Sequence, residues 1–171
     1  MISQSFLSLS NRWLLRKPAK SRESIGYQRA EHFGILFSYA SDAKTQAITE
    51  FIERLDDDNK KVISLSIWSK TEFESQKEFG AVGDHELNPL GQWKNDHLIK
   101  FCSQKFDYLL CLDDQPGPLV QNILLKSEAQ CRIGIHDFQS GMLYEMMIKP
   151  ADTGDLSYKM MDIYKYLSQL R

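Results

Sequence analysis

The sequence has few cysteines and lacks any long uninterrupted apolar stretch. Its three cysteines show no Cys-x-x-Cys spacing, and two lie inside apolar runs, which is typical of buried thiols in a reducing compartment. No apolar run approaches the ~20 residues that a membrane span needs. The N-terminus lacks a small-residue cleavage site, and its basic residues follow its apolar ones. These absences predict a cytoplasmic protein.

The motifs of several enzyme classes are also missing. The loop after the first apolar run, SYASDAK, contains no glycine, whereas dinucleotide and P-loop phosphate cradles need glycine for close backbone approach. There is no G-x-S-x-G motif and no zinc-ligand spacing. The basic N-terminal segment has no interleaved aromatic platform for single-stranded nucleic acid. We therefore predict no cofactor, no metal, no nucleic-acid partner and no assigned catalytic residue.

Charge is distributed unevenly along the chain. The formal net charge is −2, yet residues 1–30 carry six basic residues against the single acid Glu23, so the remainder is strongly acidic. Ile2, Phe6, Leu9 and Trp13 follow one another at helical spacing, and Pro18 ends that pattern. The segment therefore predicts a basic amphipathic helix followed by a polar linker, together residues 1–30.

Two interpretations of this helix stay open. It can pack on the body of the protein or on a second copy, or it can lie on an anionic membrane surface as a peripheral anchor. Basic side chains flank its apolar residues in both cases. The candidate membrane or partner face comprises Phe6, Leu9, Arg12, Trp13, Arg16 and Lys17.

From residue 31 onward, apolar runs alternate with segments of helical periodicity. Predicted strands are 32–38, 61–68, 106–113 and 131–136, with a minor strand near 84–87; predicted helices are 43–55, 95–104, 116–128 and 155–170. This alternation predicts one α/β domain over 31–171, a three-layer sandwich with a mostly parallel Rossmann-like sheet. A last strand, 142–148, follows a link of only five residues, which favours an antiparallel neighbour.

Ligands of such sheets bind beyond the carboxyl ends of the strands. Carboxylates and an imidazole gathered there can hold a divalent ion or orient a hydroxyl for proton transfer. For Asp114 or Gln115, which precede Pro116, the sequence favours a role as the N-cap of the following helix over ligand binding. Ser41 and Asp42 likewise offer N-cap oxygens to the helix 43–55. The candidate ligand rim comprises Ser38, Ser41, Asp42, Trp68, Asp113, Asp114, His136 and Asp137.

Two resemblances bear on function. The order HFGILFSYASDAKTQAITEFIERL, NKKVISLSI, FDYLLCLDD, LVQNILLKSEAQCRIGIHD and YEMMI resembles an uncharacterised family of small bacterial α/β proteins, which implies this fold and no activity. The FDYLLCLDD and CRIGIHD segments are more weakly similar to the acceptor-side half of heptosyltransferase-type glycosyltransferases. That second likeness implies a sugar at the candidate ligand rim.

The sequence therefore favours a non-enzymatic binding or interaction module, peripheral to membrane or envelope machinery. Its N-terminal helix would contact an anionic membrane or a second copy of the chain. The alternative is an enzyme, or a degenerate glycosyltransferase-like domain, that binds a polar small molecule such as a sugar at the candidate ligand rim.

Overall fold

The computed structural model describes residues 2–16, 22–68, 80–83, 93–94, 96–136, 142–151 and 154–171. These residues form five helices and six strands. In chain order they are α1 (Ile2–Leu15), β1 (His32–Ser38), α2 (Asp42–Asp57), β2 (Lys61–Trp68), β3 (Gly80–Gly83), α3 (Asp96–Ser103), β4 (Tyr108–Cys111), α4 (Pro118–Lys126), β5 (Cys131–Ile135), β6 (Met146–Ile148) and α5 (Leu156–Ser168).

The six strands form one sheet in the order β3-β2-β1-β4-β5-β6, and every neighbouring pair is parallel. Phe33 of β1 lies between Val62 of β2 and Tyr108 of β4. The chain first builds the sheet outward from β1 on one side and then crosses to β4 on the other. This confirms the parallel α/β sheet and creates a topological switch point between β1 and β4.

The central strands are apolar on both faces because helices cover both sides of the sheet. Phe33, Ile35 and Phe37 of β1 pack against α2 and α5, whereas Leu36 packs against the opposite layer. That opposite layer contains α1, α3 and α4, so the molecule has three layers. The Ser41 hydroxyl caps α2 by accepting the amide of Lys44, as its sequence position predicts.

The predicted antiparallel last strand is wrong, because β6 pairs with β5 in the parallel direction. The strand covers only three residues, and the ten residues 136–145 connect it to β5. Ten residues can span up to about 33 Å, which is ample for a return along so short a pairing. Within this connection Leu143 and Tyr144 are buried as loop residues that fill the core, although their apolarity resembles that of a strand.

The minor strand of this sheet is β3 at residues 80–83; the predicted position 84–87 lies outside the described residues. Residues 22–30, which belong to the segment assigned to a linker, pack against the body. Tyr27 and Ala30 are buried there, and the hydroxyls of Tyr27 and Tyr164 both donate to Asp58. The bond from Tyr27, and then that from Tyr164, hold the pKa of the Asp58 carboxyl below its usual range.

Candidate functional site

The carboxyl ends of β1 and β4 meet at a buried ion pair, which we call the closed node: Ser38, Lys44 and Asp113. The Asp113 carboxylate accepts the Ser38 amide at 2.9 and 3.1 Å, the Ser38 hydroxyl at 2.7 Å and the Lys44 ammonium at 2.6 Å. Lys44 also donates to the Ser38 carbonyl. Both carboxylate oxygens are therefore occupied by donors of the protein itself, and the switch point of the sheet is filled.

Beneath the closed node lie two further buried polar groups. Burial, and next the nearby Asp113 carboxylate, raise the pKa of the Cys111 thiol to about 12, so it stays protonated. The Tyr144 hydroxyl is buried beside that thiol without a hydrogen bond of regular geometry. Burial is also the main cause that raises the pKa of Tyr144 above its usual range. Neither group is poised to ionise near neutral pH.

The rim residues near β2 have local structural contacts. The Trp68 indole donates to the Ser66 hydroxyl at 2.6 Å, and its ring stacks on Tyr39 with centroids 3.9 Å apart. The Tyr39 hydroxyl in turn donates to Asp42 at 2.8 Å. These mutual contacts stabilise the loop between β1 and α2.

The carboxyl ends of β5 and β6 border a cleft of about 460 Å³, which we call the open cleft. It lies between these strands and the start of α5. Of the predicted rim residues, Asp114 and His136 line it; Asp137 lies outside the described residues. The sequence did not single out its remaining polar side chains: Lys149, Asp155 and Lys159.

The predicted capping role of Asp114 or Gln115 is wrong. The N-cap of α4 is Gly117, which offers no side-chain oxygen, and Pro118 occupies the first turn. Asp114 instead accepts a hydrogen bond from Lys159 of α5, 45 residues away. The candidate ligand rim thus divides into the filled closed node, the β2 loop contacts and the open cleft.

The second candidate surface is the outward face of α1. Phe6, Leu9 and Trp13 are exposed by 44%, 60% and 60%, and Arg12 and Arg16 beside them are exposed as well. Lys17, the remaining member of the predicted face, lies outside the described residues. The structure therefore places this apolar stripe on the outside of the molecule.

The opposite face of α1 attaches the helix to α4. Leu7 is buried in the core between the sheet and these helices, and Leu15 packs against it. The Asn11 amide donates to the Pro118 carbonyl at 2.8 Å, and its oxygen accepts the Asn122 amide at 2.7 Å. Packing on the body is one of the two interpretations that the sequence left open, and the structure shows it. The contact through Asn11 could not be predicted, because a lone asparagine inside an amphipathic helix gives no signal of its distant partner.

Comparison with known protein families gives one match. Residues 7–170 match the model of a family of unknown function, DUF6913. The chain belongs to the DUF6913 family. This confirms the resemblance to an uncharacterised family, and the match takes in both the helix α1 from Leu7 onward and the whole sheet. None of the curated proteins matches this DUF6913 chain.

The likeness to heptosyltransferase-type glycosyltransferases therefore remains a resemblance drawn from short sequence segments. In the described parts of this DUF6913 protein, no helix combines the length and the apolar character needed to cross a bilayer. Two surfaces of the described residues are accessible to a partner or ligand, the outward face of α1 and the open cleft.

Proposed function

We propose that this protein is a non-enzymatic interaction module that docks on an anionic membrane surface through the outward face of α1. The observation that carries the proposal is that α1 is apolar on two sides. Its inner side holds Leu7 against the body, and its outer side presents Phe6, Leu9 and Trp13. An exposed apolar stripe opposite a face that already packs on the body is typical of a surface that meets a further partner.

The charge of the helix supports an anionic partner. No acidic residue occurs within α1, and Arg12 and Arg16 are exposed beside its apolar stripe. Aromatic and leucine side chains on one face, with arginines beside them, are the pattern of helices that lie in the headgroup region of a membrane. Each basic residue near an anionic surface adds roughly 1 kcal/mol of attraction.

The size of the stripe argues against a second copy as the occupant. Its three exposed side chains offer roughly 300 Å² between them, judged from ordinary aromatic areas. A stable dimer buries about 800 Å² on each partner. Burying ~300 Å² in lipid contributes about 7 kcal/mol, which suits reversible membrane contact.

The closed node supports a non-enzymatic reading of the switch point. Asp113 is the most buried of the rim carboxylates that the structure describes, and Ser38 and Lys44 already occupy its oxygens. A general base must reach the proton that it removes from a substrate. In this arrangement Asp113 serves to join β1, α2 and β4.

Vesicle co-sedimentation of the full-length protein tests the proposal. Wild-type protein should pellet with vesicles of phosphatidylcholine and phosphatidylglycerol and remain in solution with phosphatidylcholine alone. The double variant Leu9→Glu/Trp13→Glu should lose at least ~tenfold in partitioning, because two acids replace the inserted side chains. Tyr166→Glu places an acid on an exposed aromatic position of α5 and should pellet like wild type.

Two results would contradict membrane docking. One is equal pelleting of wild type and the double variant with anionic vesicles. The other is a dimeric wild type, by light scattering, that the double variant converts to a monomer while neither form pellets. Circular dichroism spectra identical to wild type are the control that the variants remain folded.

A further inference from the structure

The open cleft is unrelated to the outward face of α1 and has the dimensions of a ligand site. Its volume of about 460 Å³ falls within the range of small-molecule pockets. It lies beyond the carboxyl ends of β5 and β6, the side of an α/β sheet where ligands bind. The closed node fills the switch point itself, whereas the open cleft is an accessible part of the same edge.

The described lining of the open cleft carries two carboxylates and two ammonium groups. The carboxylates are those of Asp114 and Asp155, the ammonium groups are those of Lys149 and Lys159, and His136 adds an imidazole. A ligand with a net charge of either sign would meet a like charge as well as an opposite one. A neutral molecule that both donates and accepts hydrogen bonds matches this lining better.

Part of this polar lining is already held in position. Lys159 donates to Asp114 across the cleft, and the Asp155 carboxylate accepts the amides of Ser157 and Tyr158 at the start of α5. These bonds fix the side chains before any ligand arrives, which lowers the entropy cost of binding. The Asp114 side chain is still 66% exposed, so it retains acceptor capacity on its accessible side.

An apolar floor completes the lining. Ile135, Pro150 and Leu156 border the open cleft, and Gly154, at φ +67, has no neighbouring atom within 4 Å of the position a Cβ would take. Beyond Gly154, Asp155 and Leu156 a second depression of about 530 Å³ continues to Gln46 on α2. The open cleft therefore offers apolar contacts, hydrogen-bonding groups and space that extends toward Gln46 of α2.

We infer that the open cleft binds a neutral polyhydroxylated small molecule, a monosaccharide or a related polyol. Each hydroxyl of such a ligand can donate to Asp114 or Asp155 and accept from Lys149 or Lys159. Its C–H surface can lie on the apolar floor formed by Ile135, Pro150 and Leu156. This inference is independent of membrane docking, because none of these residues belongs to α1.

Titration of the isotopically labelled full-length protein, followed by amide chemical shifts, tests the inference. The probes are D-glucose, D-ribose and myo-inositol, with inorganic phosphate and glycine as anionic and zwitterionic comparators. At least one polyol should give saturable shifts at His136, Lys149 and Gly154 in the millimolar range. The comparators should bind more weakly at the same amides.

Variants of α5 supply the matched control. Lys159→Ala should weaken polyol binding roughly tenfold, the value of one hydrogen bond to a charged group. Lys165→Ala removes an exposed lysine from the last turn of the same helix and should leave binding unchanged. Asp114→Asn keeps the side-chain shape and should also weaken polyol binding. It replaces Lys159→Ala in the test if that variant fails to fold.

The inference is overturned if no polyol produces saturable shifts at these amides. It is equally overturned if phosphate or glycine binds there more tightly than every polyol, or if Lys165→Ala weakens polyol binding as much as Lys159→Ala does. Vesicle binding plays no part in this titration, so its outcome is separate from the test of membrane docking.

Discussion

The centre of the sheet's carboxyl edge and the neighbouring part at β5 and β6 use similar residues for opposite purposes. At β1 and β4 a carboxylate and a lysine form the closed node, with side chains only 6% and 16% exposed. Beside β5 and β6 another carboxylate and another lysine border the open cleft. The topology favours ligands at the switch point. In this chain, local side chains fill the switch point and leave the neighbouring part of the edge accessible.

The contrast is sharpest between two adjacent residues, Asp113 and Asp114. The Asp113 side chain is 6% exposed and accepts four hydrogen-bond contacts, whereas Asp114 is 66% exposed and pairs with one lysine. Chemically identical neighbours thus belong to different environments. Measurements of the free energy of unfolding can distinguish the contribution of Asp113 from that of Asp114.

The largest expected effect comes from replacing each aspartate with alanine. Asp113→Ala should lower the free energy of unfolding by about 3–5 kcal/mol, because it leaves Lys44 and the Ser38 donors buried without their acceptor. Asp114→Ala should change it by less than ~1 kcal/mol, since an exposed ion pair contributes little. Urea unfolding followed by circular dichroism measures both values.

An isosteric variant identifies the cause of the first effect. Asp113→Asn keeps the side-chain volume and some acceptor capacity but loses the charge that faces Lys44, so it should fall between wild type and Asp113→Ala. Equal destabilisation by Asp113→Ala and Asp114→Ala would contradict the division into a closed node and an open cleft.

Much of the fold could be predicted from the sequence because its signals are local. The apolar runs that became β1 and β2 match the structure residue for residue, and Ser41 caps α2 as its position indicates. Parallel pairing followed from alternation with helices. These features depend on neighbours within a few residues, where periodicity and capping are informative.

The features that were missed depend on distant partners. Asn11 meets Asn122 across 111 residues, and no pattern near Asn11 indicates it. Leu143 and Tyr144 have the composition of a strand, yet they fill core space over β5. Likewise the sequence could not say which of Asp113 and Asp114 would be buried, since that depends on where Lys44 and Lys159 lie in the fold.

The second prediction concerns packing along β5, whose carboxyl end borders the open cleft. A Cβ on Gly134 would lie 2.3 Å from the Tyr144 ring, so the strand has no spare room on that face. Gly134→Ala should therefore destabilise the protein by about 2 kcal/mol through overpacking. Gly117→Ala, where nothing lies within 4 Å of the added atom, should cost less than ~1 kcal/mol.

Replacing the Tyr144 ring with a smaller side chain provides the decisive control. In a Tyr144→Leu background the same Gly134→Ala change should cost less than in wild type, because the clashing ring is gone. If Gly134→Ala is neutral in wild type, the region around β5 is loose throughout, and the open cleft is then one part of a poorly packed area.

The smallest predicted effect concerns Glu145, which binds to the start of β5. The end of β5 borders the open cleft, while its start is held by an ion cluster in which Arg132 donates to Glu145 at 2.6 and 3.0 Å and Arg22 lies 3.5 Å from it. Burial alone would raise the pKa of Glu145. The hydrogen bonds and charge of Arg132 outweigh burial and hold that pKa below its usual range.

A carboxyl with a lowered pKa in the folded state stabilises the protein fully above its unfolded-state pKa, about 4.3, and loses that contribution as pH falls through the folded value. Glu145→Gln should therefore cost about 1 kcal/mol at pH 7 and flatten the acid decline in stability. Glu31→Gln, at an exposed pair with Lys61, should leave the acid decline unchanged. An acid decline in Glu145→Gln as steep as in wild type would mean that other carboxylates, such as Asp58, dominate the pH dependence of stability.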